Sequence, residues 1–123
     1  MIARKSLQNQ LEEIERAICE QADRIEAMIK SAYRGLCERC LGTADDVLAM
    51  EREINRTEVV IEEHCLTLLA LQQPVASDLR RTAAALKINS DLERIADLAL
   101  NLAERTESLA GQTQIEIPER LSQ

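Results

Sequence analysis

Apolar residues recur at alternating steps of three and four along three stretches of the 123-residue chain. This spacing places them on one side of an α-helix, so each stretch predicts a long helix with one buried side. The predicted core positions are Leu7, Leu11, Ile14, Ile18, Gln21, Ile25, Met28 and Ala32 in the first helix, Val47, Met50, Ile54, Thr57, Ile61, His64, Leu68 and Leu71 in the second, and Leu79, Ala83, Leu86, Leu92, Ile95, Ala99, Leu102 and Leu109 in the third.

Glycine and proline separate the three stretches. Gly42 is suited to the left-handed residue that ends a helix, and Thr43 to the N-cap of the next, with acidic residues following it near the positive end of the helix dipole. Pro74 fits the first turn of the third helix, and Gly111 marks its end. Only Gln72 and Gln73 connect the last two helices, which must therefore pack antiparallel.

The fold class that follows is all-α, an antiparallel three-helix bundle over residues 1–110. Residues 111–123 form a linker-like tail in which 115–118 is extended. With one Tyr and neither Trp nor Phe, the core must consist of Leu, Ile, Val and Ala, which favours helix packing over a sheet.

The charge and hydropathy exclude several classes of function. A net charge of −7 without a long basic run disfavours binding to nucleic acid. No stretch has the roughly 20 apolar residues of a membrane span, and the charged start of the chain is unlike a signal peptide. We therefore expect a cytoplasmic location.

Oxygen-bearing side chains stack at helical spacing on the second and third helices. Glu93 and Asp97 lie four residues apart on the third helix, and Glu51 and Asn55 lie four apart on the second. Two such pairs facing each other could bind Mg²⁺, Mn²⁺ or iron. Spacing alone is more typical of a solvated helix face than of a metal site, although Glu93 and Asp97 border the apolar positions.

Three segments together resemble the signature of the PhoU family: residues 71–80 (LQQPVASDLR), residues 86–88 (LKI) and residues 91–97 (DLERIAD). The resemblance covers most of residues 4–109. Within the first segment, Asp78 and Arg80 also have a structural interpretation, because a carboxylate in the first turn of a helix favours the positive end of its dipole.

The resemblance implies a cytoplasmic, all-helical adaptor that binds iron, zinc, manganese or magnesium through carboxylate pairs. Those pairs map to Glu93 with Asp97 and to Glu51 with Asn55. Asn55 departs from the family pattern because its amide oxygen carries no charge, which should weaken cation binding. Ala96 stands where the family usually has Gly.

The resemblance also implies a function in signalling without catalysis. Such an adaptor connects the ATPase of a phosphate ABC transporter to a phosphate-sensing histidine kinase, and represses the phosphate-starvation response when phosphate is plentiful. Family members usually contain two three-helix repeats. This chain shows one, so we expect it to form a homodimer through an isologous interface. A regulatory domain detached from a sodium-dependent phosphate transporter is an alternative within the family.

Three other interpretations remain. The bundle could be a ligand-free dimerisation or interaction module, because its apolar stripes alone explain the periodicity. A di-metal carboxylate enzyme would need Glu-x-x-His pairs, and the chain has only His64. Cys37 and Cys40 could form half of a zinc or redox site, whereas Cys19 and Cys65 are most simply small core residues.

Overall fold

A computed structural model describes residues 2–38 and 42–116, and their side chains over 6–38 and 42–109. It contains three helices, α1 (Ile2–Glu38), α2 (Thr43–Gln72) and α3 (Ala76–Glu116). Every pair of helices is in contact, and no strand occurs in the described ranges. The predicted all-α three-helix bundle is confirmed. With 37, 30 and 41 residues, the helices are about 45 to 60 Å long at roughly 1.5 Å per residue.

The start of α2 differs from the prediction in one respect. Gly42 has a φ of 95° and is the N-cap, and Thr43 is the first helical residue instead of the cap. Asp45 and Asp46 lie in the first turn, as expected. The described part of α1 ends at Glu38, so the predicted helix end just before Gly42 lies outside the described residues.

The connection between α2 and α3 consists of three residues, 73–75. Gln73 adopts a left-handed conformation with a φ of 45° and is the C-cap of α2. The carbonyl of Val75 accepts hydrogen bonds from the backbone N–H groups of Asp78 and Leu79. These bonds cap the helix, which begins at Ala76, so Pro74 precedes the first turn of α3 and does not lie in it as predicted.

The other end of α3 was also predicted wrongly. The helix continues through Gly111 to Glu116, so neither a helix end at Gly111 nor an extended 115–116 is found. A single glycine costs a helix only about 1 kcal/mol relative to Ala, which does not suffice to end it. Residues 117–123 lie outside the described part, and the division into a bundle over 1–110 and a tail over 111–123 stays a prediction.

The predicted core of α1 is confirmed at all eight positions, including Gln21, which is only 1% exposed. On α2, Val47, Ile54, Ile61 and Leu68 are buried as predicted, three further positions are half-buried, and Leu71 is exposed. Cys65 is buried as expected, whereas Cys19 is exposed and was wrongly assigned to the core.

The core side of α3 is different from the predicted one. Of the predicted positions Ala99 is buried, Leu86 and Leu92 lie at the edge of the core, and the other five are exposed. The buried positions of α3 instead carry small or polar side chains: Thr82, Ala85, Asn89, Ala96, Ala99, Ala103 and Thr106. These short side chains fit between the larger ones of α1 and α2, as close packing requires. Ala96 is fully buried, so the bundle accommodates its methyl group.

Within the described residues, no helix has an apolar stretch long enough to span a membrane.

Candidate functional site: an acidic groove between α2 and α3

Two contacts fix the register between the antiparallel helices α2 and α3. The amide of Asn89 donates a hydrogen bond of 3.0 Å to the backbone carbonyl of Glu58. At one end of the bundle, the backbone N–H of Ala44 in α2 donates a hydrogen bond of 2.9 Å to Glu107 Oε2 in α3. In an antiparallel pair of helices, the residue number rises along one helix as it falls along the other. The two residue numbers of any facing pair in α2 and α3 therefore add up to nearly the same total.

This register brings the four predicted site residues together. Glu51 lies level with Asp97, and Asn55 lies level with Glu93. Glu51 is only 7% exposed, Asn55 and Glu93 are half-buried, and Asp97 is exposed. The side-chain amide of Asn55 donates a hydrogen bond to Glu51 Oε1, so these two side chains are in direct contact. The four residues cluster where α2 and α3 face each other, and we call this cluster the acidic groove.

The electrostatics of Glu93 show that the acidic groove is crowded with negative charge. Partial burial raises the pKa of Glu93, and the nearby Asp97 raises it further by its charge and by a hydrogen bond between the two carboxyl groups. The charges of Glu58 and Glu51, across the groove on α2, act in the same direction. Each of these groups makes it harder for Glu93 to ionise.

Glu58 belongs to the same groove, although the four predicted residues did not include it. Burial raises the pKa of Glu58, and the charge of Glu62, four residues further along α2, adds to this effect. The sequence contained the signal, because Glu58 and Glu62 continue the stack of Glu51 and Asn55 on one side of the helix.

Asn89 is a residue of this region that sequence reasoning missed. It is 2% exposed, and while its amide donates to the carbonyl of Glu58, its Oδ1 atom is buried without a hydrogen-bond partner. Asn89 precedes Glu93 by four residues, so it lies one helical turn along the same stripe. The unpartnered oxygen adds a partial negative charge to the part of α3 that precedes Glu93.

The arginines of α3 do not neutralise this charge. Arg94 and Arg105 are exposed, and among the described residues no ion pair joins either of them to the groove. Neither arginine therefore offsets the burial and the neighbouring carboxylates that raise the pKa of Glu93.

The fit to a metal ion is partial. The donor types are the oxygens that hard and borderline cations prefer. However, in the part of the chain that the structure describes, no three acidic, Cys or His side chains are grouped tightly enough to hold one ion. Side chains on both helices would therefore have to move closer together to form a ligand set.

The alternative metal and redox residues lie elsewhere. Cys37 is exposed near the described end of α1, and its predicted partner Cys40 lies outside the described residues. His64 is half-buried on α2, and no described cluster of potential ligands includes it. Neither observation adds a ligand to the acidic groove.

Asp78 lies in the first turn of α3, about four turns before Glu93, where it contributes to a polar network with α1. It accepts a hydrogen bond of 3.0 Å from the amide of Gln8, and it lies 3.8 Å from Arg81 Nη1. Arg81 in turn binds both carboxylate oxygens of Glu15. The position of Asp78 in the first turn of α3 confirms its structural interpretation, while Arg80 is exposed and no hydrogen bond or ion pair among the described residues joins it to the network.

Comparison with known proteins relates this arrangement to a family. The family model of the PhoU domain matches residues 18–106. A phosphate-specific transport system accessory protein PhoU homolog from Aquifex aeolicus is 38% identical over 101 residues, which is 82% of this chain and 46% of that protein. Homologs of the same description from Synechocystis and Deinococcus radiodurans are 34% and 33% identical, over 82% and 87% of this chain and 45% and 50% of their own lengths. The chain thus spans about half the length of these curated relatives.

Proposed function

Because this chain belongs to the PhoU family, we propose that it is an accessory protein that regulates phosphate-specific transport. The observation that carries the proposal is the match of the PhoU domain to residues 18–106, which includes both walls of the acidic groove. Three curated relatives that align with more than four fifths of this chain are described as accessory proteins of phosphate-specific transport. The proposed role requires binding and no catalysis.

The specific role we propose is that of a cytoplasmic adaptor. It binds the ATPase of a phosphate ABC transporter and a phosphate-sensing histidine kinase, and lowers the phosphate-starvation response when phosphate is plentiful. The acidic groove supports this role because it offers an uncompensated negative surface on a long, rigid pair of helices. A basic surface on a partner would relieve the repulsion that raises the pKa of Glu93.

Binding to purified partners tests the adaptor role. The chain is immobilised, and the transporter ATPase and the cytoplasmic part of the sensor kinase from the same organism are passed over it in biolayer interferometry. We expect at least one to bind, and the Glu93→Gln/Asp97→Asn variant to weaken binding by roughly tenfold, about 1.4 kcal/mol. The control Glu13→Gln/Asp23→Asn removes the same charge from exposed positions on α1 and should bind like the unmodified chain. If neither partner binds while a full-length relative binds both, the adaptor role is wrong.

We further propose that the acidic groove binds a divalent cation weakly, through Glu93, Asp97, Glu51 and the amide oxygen of Asn55. A bound ion would offset the mutual repulsion of these carboxylates and hold α2 and α3 together. The groups themselves would only bind and position the ion.

Titration with Mn²⁺ tests this second proposal. Calorimetry on the metal-free chain should give saturable binding that the Glu93→Gln/Asp97→Asn variant loses, while the Glu13→Gln/Asp23→Asn control keeps it. Zn²⁺, Mg²⁺ and ferrous ion, titrated in the same way, rank the candidates. Equal heats for both variants would show that Mn²⁺ binds to surface carboxylates in general, and would contradict a site in the groove.

A further inference from the structure

The end of the bundle at which α2 turns back into α3 is uncharged and apolar. Residues 65–77 contain no acidic or basic side chain, although 30% of the residues in the whole chain are charged. Leu71 and Val75 are each 75% exposed, and Leu79 is 44% exposed. No other large apolar side chain in the described part of the chain is as exposed as the first two. We call Leu71, Val75 and Leu79 the apolar tip.

The backbone between α2 and α3 fixes how the apolar tip is presented. Gln73 and Ala76 have positive φ values of 45° and 51°, a conformation that is unfavourable for residues with a Cβ atom. Between them Pro74 is buried, and its ring restricts the turn further. Such strain persists only where the surrounding structure holds the backbone in place. Val75 is therefore exposed on a rigid turn and not on a loop that could fold it inward.

A cavity of about 500 Å³ opens to solvent beside the apolar tip. It is lined by residues 72–78 and by Leu7 of α1, which belongs to the hydrophobic core. Pockets that bind ligands commonly have volumes of about 300 to 1,000 Å³. In protein interfaces, a large side chain of one partner often fills such a pocket of the other. The cavity is thus large enough to receive an apolar side chain that anchors a partner.

A basic residue borders the apolar tip. Arg80 is exposed, and no ion pair among the described residues involves it. Asp78 accepts a hydrogen bond from Gln8 and lies 3.8 Å from Arg81, so its charge is partly offset. The net charge of the chain is −7, but charges farther away than about 8 Å are largely screened at physiological salt. The apolar tip therefore favours a partner that carries a carboxylate next to its apolar side chains.

The size of the apolar tip indicates what kind of partner segment fits it. The exposed fractions of its three side chains add up to about two fully exposed residues. Each partner contributes roughly 20 to 30 residues to a standard interface, so the apolar tip suits one short segment. An extended segment would need the open edge of a sheet, and the described residues contain no strand. An amphipathic helix needs only a depression for its apolar positions.

The apolar tip is separate from the acidic groove. Glu93 follows Leu79 by 14 positions on α3, which is about 21 Å at roughly 1.5 Å per residue. The two surfaces also differ in charge, because the acidic groove suits a basic partner surface and Arg80 suits an acidic one. An adaptor must hold two proteins at once, and two separate surfaces of opposite preference allow this.

We propose that the apolar tip is a docking surface for an acidic amphipathic helix of a protein partner. The helix places one large apolar side chain in the cavity and a carboxylate beside Arg80. This inference rests on the proposed adaptor role and assigns its two partners to different surfaces, one to the acidic groove and the other to the apolar tip. An anionic membrane is disfavoured as the occupant, because so extended a surface also meets the other charges of the chain, whose sum is negative.

Biolayer interferometry with the purified transporter ATPase and the cytoplasmic part of the sensor kinase tests the proposal. Each protein is passed over the immobilised chain and over its variants. We expect Val75→Glu and Arg80→Glu to weaken binding of the same protein by about tenfold, and to leave binding of the other protein unchanged. The matched controls are Val60→Glu on α2 and Arg16→Glu on α1, which make the same changes at other exposed positions and should bind like the unmodified chain.

The Glu93→Gln/Asp97→Asn variant should show the reverse pattern and weaken only the other protein. If the unmodified chain binds either protein and neither Val75→Glu nor Arg80→Glu weakens that binding, the apolar tip is not a docking surface, while the adaptor role stands. Equal losses in these variants and in their controls would also overturn the inference, because the effect would then reflect added charge alone. If neither protein binds the unmodified chain while a full-length relative binds both, the adaptor role is wrong and this inference fails with it.

Circular dichroism shows whether each variant keeps its helices, as expected for substitutions at exposed positions. Vesicles of phosphatidylcholine and phosphatidylglycerol are passed over the same sensor surfaces. Vesicle binding that Val75→Glu abolishes and Val60→Glu does not, with binding of both proteins unchanged, would mean that the apolar tip binds a membrane, and would overturn its assignment to a protein helix.

Discussion

Arg81 on α3 donates two hydrogen bonds to the carboxylate of Glu15 on α1, from Nε at 3.1 Å and from Nη2 at 2.7 Å. The same guanidinium donates to Gln8 at 2.8 Å. A planar, two-pronged donor suits this geometry, and a lysine cannot reproduce it. The pair fixes the parallel register of the two helices, which in turn aligns the apolar residues beyond it.

We expect Arg81→Lys to lower the free energy of unfolding by about 0.5 to 1 kcal/mol, since solvent screens a pair that is one third to one half exposed. Hydrogen bonding to Arg81 holds the pKa of Glu15 below its ordinary value. The stabilisation is therefore present above that ordinary pKa and is lost as the pH falls through the lowered one. Urea unfolding near pH 7 and pH 3 measures both effects. The exposed neighbour Arg80 provides the control, because Arg80→Lys should change little at either pH.

Glu93 has the opposite pH dependence. Burial and neighbouring carboxylates raise its pKa above the ordinary 4.5. Its favourable contribution is thus complete below the ordinary pKa and is lost as the pH rises through the raised one. Glu93→Gln should accordingly stabilise the metal-free chain at pH 7 by several tenths of a kcal/mol, with less benefit near pH 4. Chemical denaturation at the two pH values measures this, with Glu13→Gln as the control. If Glu93→Gln instead lowers the free energy of unfolding equally at both pH values, repulsion between the carboxylates does not destabilise the acidic groove.

Asn55 has an uncharged side chain, whereas the other three predicted site residues of the acidic groove are acidic. Replacing it by Asp removes the hydrogen bond that Asn55 donates to Glu51 and adds a repelling charge. We expect Asn55→Asp to destabilise the metal-free chain by about 1 kcal/mol and to tighten Mn²⁺ binding several-fold, because a carboxylate is the stronger cation ligand. Calorimetry and thermal unfolding with and without Mn²⁺ separate the two effects. The exposed Asn9→Asp should produce neither, and an Asn55→Asp variant with unchanged affinity would place any cation elsewhere.

Gly35 is buried in α1 where the start of α2 approaches. A Cβ atom built at Gly35 would lie 2.6 Å from Thr43 Cγ2, well inside contact distance. Alanine favours a helix over glycine by about 1 kcal/mol, yet we expect Gly35→Ala to destabilise the chain because this close approach outweighs the propensity. Combining it with Thr43→Ser, which removes Cγ2, should recover part of the loss. Thermal unfolding of the single and double variants decides the matter, and a more stable Gly35→Ala would show that α2 moves aside easily.

The sequence predicted α1 better than α3, and the reason is physical. In α1 the large apolar residues form one stripe, so periodicity identifies the buried side, and even Gln21 lies in it because its amide donates to the carbonyl of Ile54 at 3.0 Å. α3 has two stripes, one of large apolar residues and one of small ones. Hydrophobicity alone favours the large stripe. The bundle buries the small one, because α1 and α2 already fill the core with bulky side chains.

The sequence predicted which residues of the acidic groove share a helix face, but not how α2 and α3 are aligned with each other. Spacing of four residues shows which carboxylates share a helix face, and antiparallel packing brings Glu51 near Glu93 and Asp97. Spacing does not give the register between two helices, which depends on contacts such as that of Asn89 with Glu58. The burial of Glu51 and the orphaned oxygen of Asn89 therefore emerge only from the packed structure.

The central claim, regulation of phosphate-specific transport, is tested most directly in cells. The chain is expressed in its own organism after deletion of the chromosomal copy, and a reporter from a phosphate-starvation promoter is measured in excess phosphate. Our account predicts that deletion raises the reporter signal, that the chain restores repression, and that Glu93→Gln/Asp97→Asn restores it less well than Glu13→Gln/Asp23→Asn at equal protein level. A reporter that is unaffected by deletion, or that stays active with the folded chain present, would contradict the claim.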